Sequence, residues 1–365
     1  MSQPRIAFFL PNLFGGGAER VSINLLKGMV EHELILDLVL GIAEGSFLAQ
    51  VPPQVNLINL KSPRVAFALL PLIKYLRTVR PDAILSHLGH ANVIALLAKK
   101  LAGVNTSIVV VEHNTLSVSD LTSFRAKVTP WFMKQLYPSA EAIIGVSQGV
   151  SQDLEMQLGL AQGAVTTVYN PALDRELPTK AIAPVAHPWL GSKLPVFLAV
   201  GRLTFQKDFV NLLRAFALVR QQRPARLIIL GEGELRTELE QLAVSLGVQE
   251  DVSLPGFASN PYGYMSRVSA FVLSSRYEGL PTAVIEAMAC GCPVVATDCP
   301  SGPEEILAAG VYGRLVPVQD SKSLAEAMLA TLELPTATDS LKQRANLFST
   351  EQIVPQYLEI LLSNK

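Results

Sequence analysis

The sequence predicts an α/β protein made of two doubly wound parallel-sheet halves. Short aliphatic runs alternate with amphipathic stretches from one end of the chain to the other, the pattern of repeated βαβ units. The alternation breaks once, in a Pro-rich stretch, and then restarts. The 365 residues also exceed the length at which single cores stop growing, roughly 250–300 residues. Hydrophobic residues make up 49% of the chain and aromatics 7%. The apolar material is therefore mostly aliphatic, as parallel sheets covered by helices require.

In the first half, strand-like runs fall at 6–10, 34–40, 55–60, 83–86, 107–112, 142–146 and 165–169. Amphipathic stretches at 18–29, 66–80 and 91–101 lie between them. Residues 170–194 then hold Pro171, Pro178, Pro184 and Pro188 with little periodicity, the mark of an interdomain connector. Strand runs resume at 196–200, 226–230, 252–254, 270–273, 293–296 and 313–316, with helical patterns at 208–222 and 235–246. The tail, 350–362, reads as one amphipathic helix. The expected organisation is a Rossmann-like domain over 1–173, a linker over 174–194, a second Rossmann-like domain over 195–348 and a terminal helix within 349–365. Two such halves predict a cleft between them, with ligands outside the carboxyl ends of the strands.

Composition excludes several classes. A net charge of −1 argues against a general nucleic-acid binder. Cys290, Cys292 and Cys299 form an odd set that reads as reduced thiols. Their spacing, with no histidine nearby, does not suit a zinc site, so no metal is expected. The run 6–10 is too short for a signal peptide, and no stretch reaches the ~18 apolar residues of a membrane span. The longest candidate, 65–73, contains Pro71 and is followed by Lys74, Arg77 and Arg80. The expectation is a cytoplasmic protein, soluble or held peripherally on the inner membrane face.

The motif with most chemistry spans Ser274 to Gly291. A strand ends near Ser274, and Gly279 permits a tight turn. Pro281 suits the first helical position, and Gly291 followed by Pro293 ends the helix. Strand, turn and helix start make an anion-binding geometry, with the amides of Leu280, Thr282 and Ala283 free to donate. Glu286 lies four residues after Thr282, on the same helix face, and Glu278 sits at the helix mouth. Two carboxylates beside an amide nest suit sugar and ribose hydroxyls next to phosphates. A surface helix with two solvated glutamates explains Glu278 alone but not a carboxylate inside so apolar a helix.

A second constellation, Val200 to Asp208, follows the first strand of the second half. Gly201 lets the backbone turn. Arg202 offers a fixed fork of donors and Lys207 a point charge, both matched to a diphosphate. Gly231-Glu232-Gly233 follows the next strand and reads equally as a plain turn or a nucleotide contact. In the first half, Gly15, Gly16 and Gly17 open a helix after the first strand and allow close approach to a bulky ligand. They lack the dinucleotide spacing G-x-G-x-x-G. His87, His90 and His113 follow strand runs and are candidates to contact the transferred sugar or an acceptor hydroxyl. His113 is the first choice. Glu304 and Glu305 in a later βα junction are explained by helix-terminus electrostatics, with a substrate contact by either as the alternative.

These residues resemble glycosyltransferase family 4: Glu278 and Glu286 with seven residues between, Gly201-Arg202 with Lys207, and the early glycine loop. The resemblance covers nearly the whole chain. It implies a retaining, metal-independent enzyme of the GT-B fold, with no cofactor beyond its nucleotide-sugar substrate. It implies that Arg202 and Lys207 neutralise the donor diphosphate, that Glu286 binds the ribose and that Glu278 holds hydroxyls of the transferred sugar. Gly16 and Gly17, with Gly279, Leu280 and Thr282, would lie along the donor, and His113 near the transferred sugar and acceptor. His87 and His90 remain alternatives for the acceptor side. The terminal helix would cross back to the first domain. A UDP-linked hexose or N-acetylhexosamine is favoured as donor, and a saccharide or lipid-linked saccharide as acceptor, in polysaccharide or lipopolysaccharide synthesis.

Between Lys61 and Lys134 ten cations outnumber the acids Asp82, Glu112 and Asp120, and 121–134 mixes Phe124, Trp131 and Phe132 with Arg125, Lys127 and Lys134. The 61–137 region suits an anionic membrane surface, or is a solvated face around a buried Trp131. Competing functions are a nucleotide-sugar epimerase or a phosphorylase on the same plan, and a non-catalytic nucleotide-sugar-binding protein.

Overall fold

The computed structural model describes residues 3–14, 16–118, 124–173 and 175–363, the side chains of 124–127 excepted. The chain divides into two compact units, Met1–Pro171 with Thr350–Lys365, and Ala172–Ser349.

The first unit is built on strands β1 (Arg5–Leu10), β2 (Ile35–Leu40), β3 (Asn56–Asn59), β4 (Ala83–His87), β5 (Ser107–Glu112), β6 (Ala142–Gly145) and β7 (Val165–Thr167). They form one parallel sheet in the order β3-β2-β1-β4-β5-β6-β7. Its helices are α1 (Gly17–Met29), α2 (Leu69–Val79), α3 (Gly89–Ala102), α4 (Phe124–Leu136) and α5 (Gln148–Leu158). The central strands are buried on both faces: Phe8, Phe9, Ile84, Val109 and Val110 are fully enclosed. That is why these runs read as continuous Val, Ile and Leu rather than as an alternation. Helix ends follow local chemistry. The Ser147 hydroxyl accepts from the Val150 amide to start α5, and Gly159, at φ +66°, ends it.

The second unit holds β8 (Val196–Val200), β9 (Arg226–Leu230), β10 (Val252–Gly256), β11 (Ala270–Leu273), β12 (Val294–Thr297) and β13 (Arg314–Val316). These pair in parallel in the order β10-β9-β8-β11-β12-β13. Helices α6 (Leu177–Ile182), α7 (Phe209–Gln222), α8 (Arg236–Ser245), α9 (Tyr262–Met265), α10 (Thr282–Ala289), α11 (Pro303–Leu307), α12 (Ser321–Glu333) and α13 (Thr338–Asn346) surround them. One core joins Phe197, Leu212, Phe216, Leu227, Ile229 and Met328. The strand order reverses between β8 and β11. The crevice outside the carboxyl ends of such neighbouring strands is where this architecture holds ligands.

The last helix, α14 (Thr350–Leu362), packs on α1, β4 and β5 of the first unit. Gly28 of α1 is the closest approach: a Cβ there would meet the methyls of Thr350 and Val354. Ile353, Val354, Tyr357 and Leu361 form its buried stripe.

Part of the Pro-rich connector is ordered, where the sequence showed little periodicity. It carries α6, with Pro178 in the first turn, where a missing amide hydrogen costs no helical bond. Side chains from the α9 region then hold α6 in place. Ser266 Oγ donates to the Ala181 carbonyl at 2.6 Å and Asn260 Nδ2 to the Lys180 carbonyl at 2.8 Å.

Candidate functional site

In the second unit, the carboxyl ends of β8, β9, β11 and β12 are laced together. After β8, the Gly201 amide donates to the Leu230 carbonyl at 3.0 Å and the Leu203 amide to the Glu232 carbonyl at 2.9 Å. Gly231, at φ +143°, sits so close to the Gly201 carbonyl that no side chain fits. Gly231-Glu232-Gly233 thus braces the neighbouring loop.

The loop after β11 grips the same segment from the other side. Ser274 Oγ donates to the Lys207 carbonyl at 2.7 Å, the Arg276 amide to the Gln206 carbonyl at 2.8 Å, and Gln206 Nε2 to the Tyr277 carbonyl at 3.0 Å. Arg276 pairs with Asp208 at 3.0 Å and lies 4.0 Å over the Phe205 ring. Asp208 in turn caps α7 by accepting from the Asn211 amide.

These braces bring two sequence-predicted residues into contact. Lys207 Nζ lies 2.6 Å from Glu278 Oε1, and Ser275 Oγ donates to the same oxygen at 2.6 Å. The Lys207 stem crosses Gly201, where a Cβ would sit 3.0 Å from Lys207 Cε. Thr297 Oγ1, from β12, fixes the Ser275 carbonyl at 2.6 Å. Arg202 belongs to the same loop; it is exposed and makes no ion pair among the described residues.

Glu278 leads directly into Gly279, Leu280 and α10. Pro281 is the cap residue and not the first helical residue, because its ψ of 91° is extended; the helix begins at Thr282. The difference is one residue, the usual uncertainty of a helix end. The amides of Leu280, Thr282 and Ala283 have no partner among the described residues, as first-turn amides do. Ser301 Oγ donates to the Gly279 carbonyl at 2.9 Å, and Gly302, at φ +96°, lies against Leu280 and Pro281. The turn before α10 is thus supported from the β12–α11 junction that holds Glu304 and Glu305. Glu286 lies inside α10 and is 3% exposed. Its charge, after burial, raises the nearby Cys290 thiol to about 12.

In the first unit, Gly16 caps α1 and Gly17 is its first residue. The Glu19 carboxylate occupies the space a Cβ on Gly16 would need, whereas Gly17 is open. Gly15 lies outside the described residues, as do 119–123.

His87 is the last residue of β4 and His113 follows β5. His87 Nδ1 and His113 Nε2 are 2.9 Å apart, and Phe8 stacks on the His87 ring at 6.2 Å. Burial lowers the His113 pKa to about 4 and that of His87 well below its ordinary value, the latter with a further contribution from His113. Both rings are therefore neutral near pH 7. His90 sits in the first turn of α3, half-buried.

Next to this pair is a cluster the sequence reading did not single out. Glu112 is buried, with the Tyr137 hydroxyl and Asn92 Nδ2 (2.8 Å) both donating to its Oε1. Burial pushes its carboxyl up to about 7 against the opposing pull of those two hydrogen bonds. Asn92 and Tyr137 are 20 and 25 residues away in the chain, and no local motif connects them.

Among the described residues, no group of three His, Cys, Asp or Glu side chains could hold a metal ion. No described helix is long and apolar enough to cross a membrane.

Two Rossmann-like units with this strand-end chemistry define the GT-B class of sugar-transferring folds. The chain belongs to glycosyltransferase family 4. Residues 189–348 match the family model described as glycosyl transferases group 1, and residues 15–172 that described as glycosyltransferase family 4. The chain is 33% identical over 98% of its length, and 99% of the relative's, to a Campylobacter jejuni enzyme. That enzyme is named N-acetylgalactosamine-N,N'-diacetylbacillosaminyl-diphospho-undecaprenol 4-alpha-N-acetylgalactosaminyltransferase. It is 28% identical, over 80% of each chain, to an amylovoran biosynthesis glycosyltransferase of Erwinia amylovora. In fold it matches Anabaena HepE, crystallised with UDP and glucose, at TM-score 0.81 and 23% identity, over 99% of this chain and 100% of that one.

Proposed function

We propose that this glycosyltransferase moves an N-acetylhexosamine, with retention, from a UDP-sugar to a lipid-linked saccharide. The observation that carries the donor site is the Lys207–Glu278–Ser275 contact beside the first-turn amides of α10. Arg202, Lys207 and the amides of Leu280 and Thr282 meet the diphosphate. Glu278 accepts from hydroxyls of the transferred sugar and Glu286 from the ribose. In the first unit, the residues assigned to the substrates are Gly16 and Gly17 for the donor, His113 for the transferred sugar and His90 for the acceptor. The sugar type follows two relatives, 33% and 23% identical over 98% and 99% of this chain, both named as N-acetylgalactosaminyltransferases of undecaprenol-linked saccharides.

In the reaction, the bond from the anomeric carbon to the diphosphate oxygen breaks, the acceptor hydroxyl oxygen bonds that carbon, and the hydroxyl proton passes to the departing diphosphate oxygen. Negative charge develops on the leaving UDP. Fixed cations and amides stabilise it more in the transition state than in the ground state, so the reaction as proposed runs without a metal ion. The test is a panel of UDP-, GDP- and ADP-sugars with an undecaprenyl-diphosphate-linked acceptor, in EDTA. UDP-N-acetylhexosamine is expected to give an α-linked product. Transfer from GDP- or ADP-sugars alone, or binding without transfer, sinks the proposal.

The acceptor chemistry calls for a membrane, and one face of the first unit suits it. Helices α2, α3 and α4 pack side by side. Among their described side chains are Lys74, Arg77, Lys99, Lys100 and Lys134 and no acidic residue. Trp131 and Phe132 of α4 are 60% and 39% exposed, and Phe67, just before α2, and Leu70, in its first turn, are 63% and 75% exposed. Trp131 is thus an outward aromatic, not a buried one. Exposed aromatics among cations match an anionic lipid surface, at the cytoplasmic side where nucleotide sugars are made. The protein is expected to float with phosphatidylglycerol vesicles and not with phosphatidylcholine vesicles. Replacing Trp131 by Ala and Lys74, Arg77 and Lys134 by Glu is expected to abolish flotation. Unchanged flotation of that variant contradicts docking by this face.

A further inference from the structure

We infer that His87 is a positioning residue: its Nδ1–H donates to His113 Nε2 and thereby fixes His113 in the neutral form that carries its proton on Nδ1. The inference rests on the reading that His113 faces the transferred sugar.

The two rings stand at the ends of neighbouring parallel strands, where His87 pairs with Val111 and His113 follows two residues later. Their nitrogens are 2.9 Å apart and the ring centroids 5.2 Å, with the planes tilted by 31°. At that separation one nitrogen holds a hydrogen and the other a lone pair. Which holds the hydrogen is set by the far side of His87. That ring is 0% exposed, and its Nε2 has no hydrogen-bond partner among the described residues. A proton on Nε2 would be a buried N–H with no acceptor, a rarer defect than an acceptor left unused. The His87 proton therefore sits on Nδ1, aimed at His113.

His113 must then accept at Nε2 and carry its own proton on Nδ1. It keeps 9% of its surface exposed, and no hydrogen bond engages its Nδ1 among the described residues. The Glu112 carboxyl, next in the chain, is engaged by Asn92 and Tyr137 and not by the imidazoles. The pair thus offers a single open polar group, a His113 Nδ1–H. It is a hydrogen-bond donor for a sugar oxygen. It is not a base for the acceptor hydroxyl, because the lone pair on Nε2 is already taken. His87 was a candidate for touching the acceptor; the fully enclosed ring acts instead through His113.

The assignment is read directly by nitrogen NMR of the full chain labelled at histidine with 15N, with a His113→Asn variant to identify the signal. His113 is expected to show a protonated Nδ1 and a bare Nε2, unchanged across about pH 6–8, where a free imidazole titrates. His87→Phe removes the donor, and the His113 signals should move to the opposite or a mixed proton placement. His87→Asn, whose amide N–H takes the place of Nδ1–H, should restore them, and His87→Gln, whose amide reaches the other ring position, should not. In turnover, His87→Phe is expected to lose roughly tenfold or more in kcat at unchanged donor KM, with His87→Asn recovering most of it. A bare Nδ1 on His113 in the wild type overturns the inference. So does a restored signal in His87→Gln with none in His87→Asn, which also covers failure of the Phe variant to fold. Full turnover of His113→Ala with the expected spectra upholds the proton assignment and sinks instead the reading that His113 faces the sugar.

Discussion

Lys207→Met is expected to lower kcat/KM by about a thousandfold, roughly 4 kcal/mol of transition-state stabilisation, while the protein stays folded. Methionine keeps the stem that crosses Gly201, so what is lost is the ammonium. In the proposed mechanism that group meets the charge developing on the leaving diphosphate, and such fixed charges are worth most where they need not reorganise. The second consequence is electrostatic. Glu278 is left with Ser275 as the donor to its Oε1 and with a largely buried carboxylate. Removing one partner of an enclosed pair costs more than the pair itself was worth. Lys207 keeps 20% of its side chain exposed, so screening moderates the loss to about 1–2 kcal/mol of stability. The backbone should not move, because Ser274, Gln206 and Arg276 hold this loop independently of the Lys207 side chain. Adding Glu278→Gln is expected to recover stability and to leave activity lost. The measurements are steady-state kinetics with the donor varied and thermal melts of the two variants. Near-normal turnover of Lys207→Met removes the ammonium from the site.

Local chemistry made much of the fold legible. Gly291, at φ +76°, follows the α10 cap as the sequence pattern requires. Long Val, Ile and Leu runs became central parallel strands because both their faces are covered. Arg202 and Lys207 stood out as cations following a strand's carboxyl end, Glu278 as an acid at a helix mouth, and Glu286 as a carboxylate inside an apolar helix, where burial is costly without a reason. The contacts were not legible. Lys207 meets Glu278 across 71 residues, and His87 meets His113 across 26. Each depends on which strands become neighbours. The braces Gln206, Ser274 and Arg276 are ordinary polar residues in sequence and acquire meaning only from the β8–β11 pairing. The ordered helix in the connector was hidden for a related reason. The connector's four prolines mask its periodicity, and its partners, Asn260, Ser266 and Arg267, lie some eighty residues on.

Glu286→Gln tests the ribose end of the proposed donor site. The side chain is buried, as are those of Val284, Ile285, Ala287 and Met288 in the same helix. Glutamine keeps its volume and leaves no cavity. What changes is hydrogen-bonding sense. A carboxylate accepts on both oxygens and so takes two ribose hydroxyls as charge-assisted donors, whereas an amide accepts on one atom and donates on the other. Losing one charged hydrogen bond and mismatching a second is expected to weaken UDP binding about 10- to 100-fold, at 1.5–3 kcal/mol for a bond to a charged group. The Cys290 thiol, raised to about 12 by burial first and Glu286 second, should titrate lower in the variant. That confirms that the charge, and not the helix, was removed. A ribose contact makes one further demand. UDP lacking both ribose hydroxyls should bind the wild type as weakly as Glu286→Gln binds UDP, and the variant should lose nothing more on their removal, the non-additivity expected of groups in contact. Calorimetric titration of both ligands into both proteins gives the four affinities. If the losses simply add, Glu286 and the ribose do not touch, and the second carboxylate of the motif has a different task.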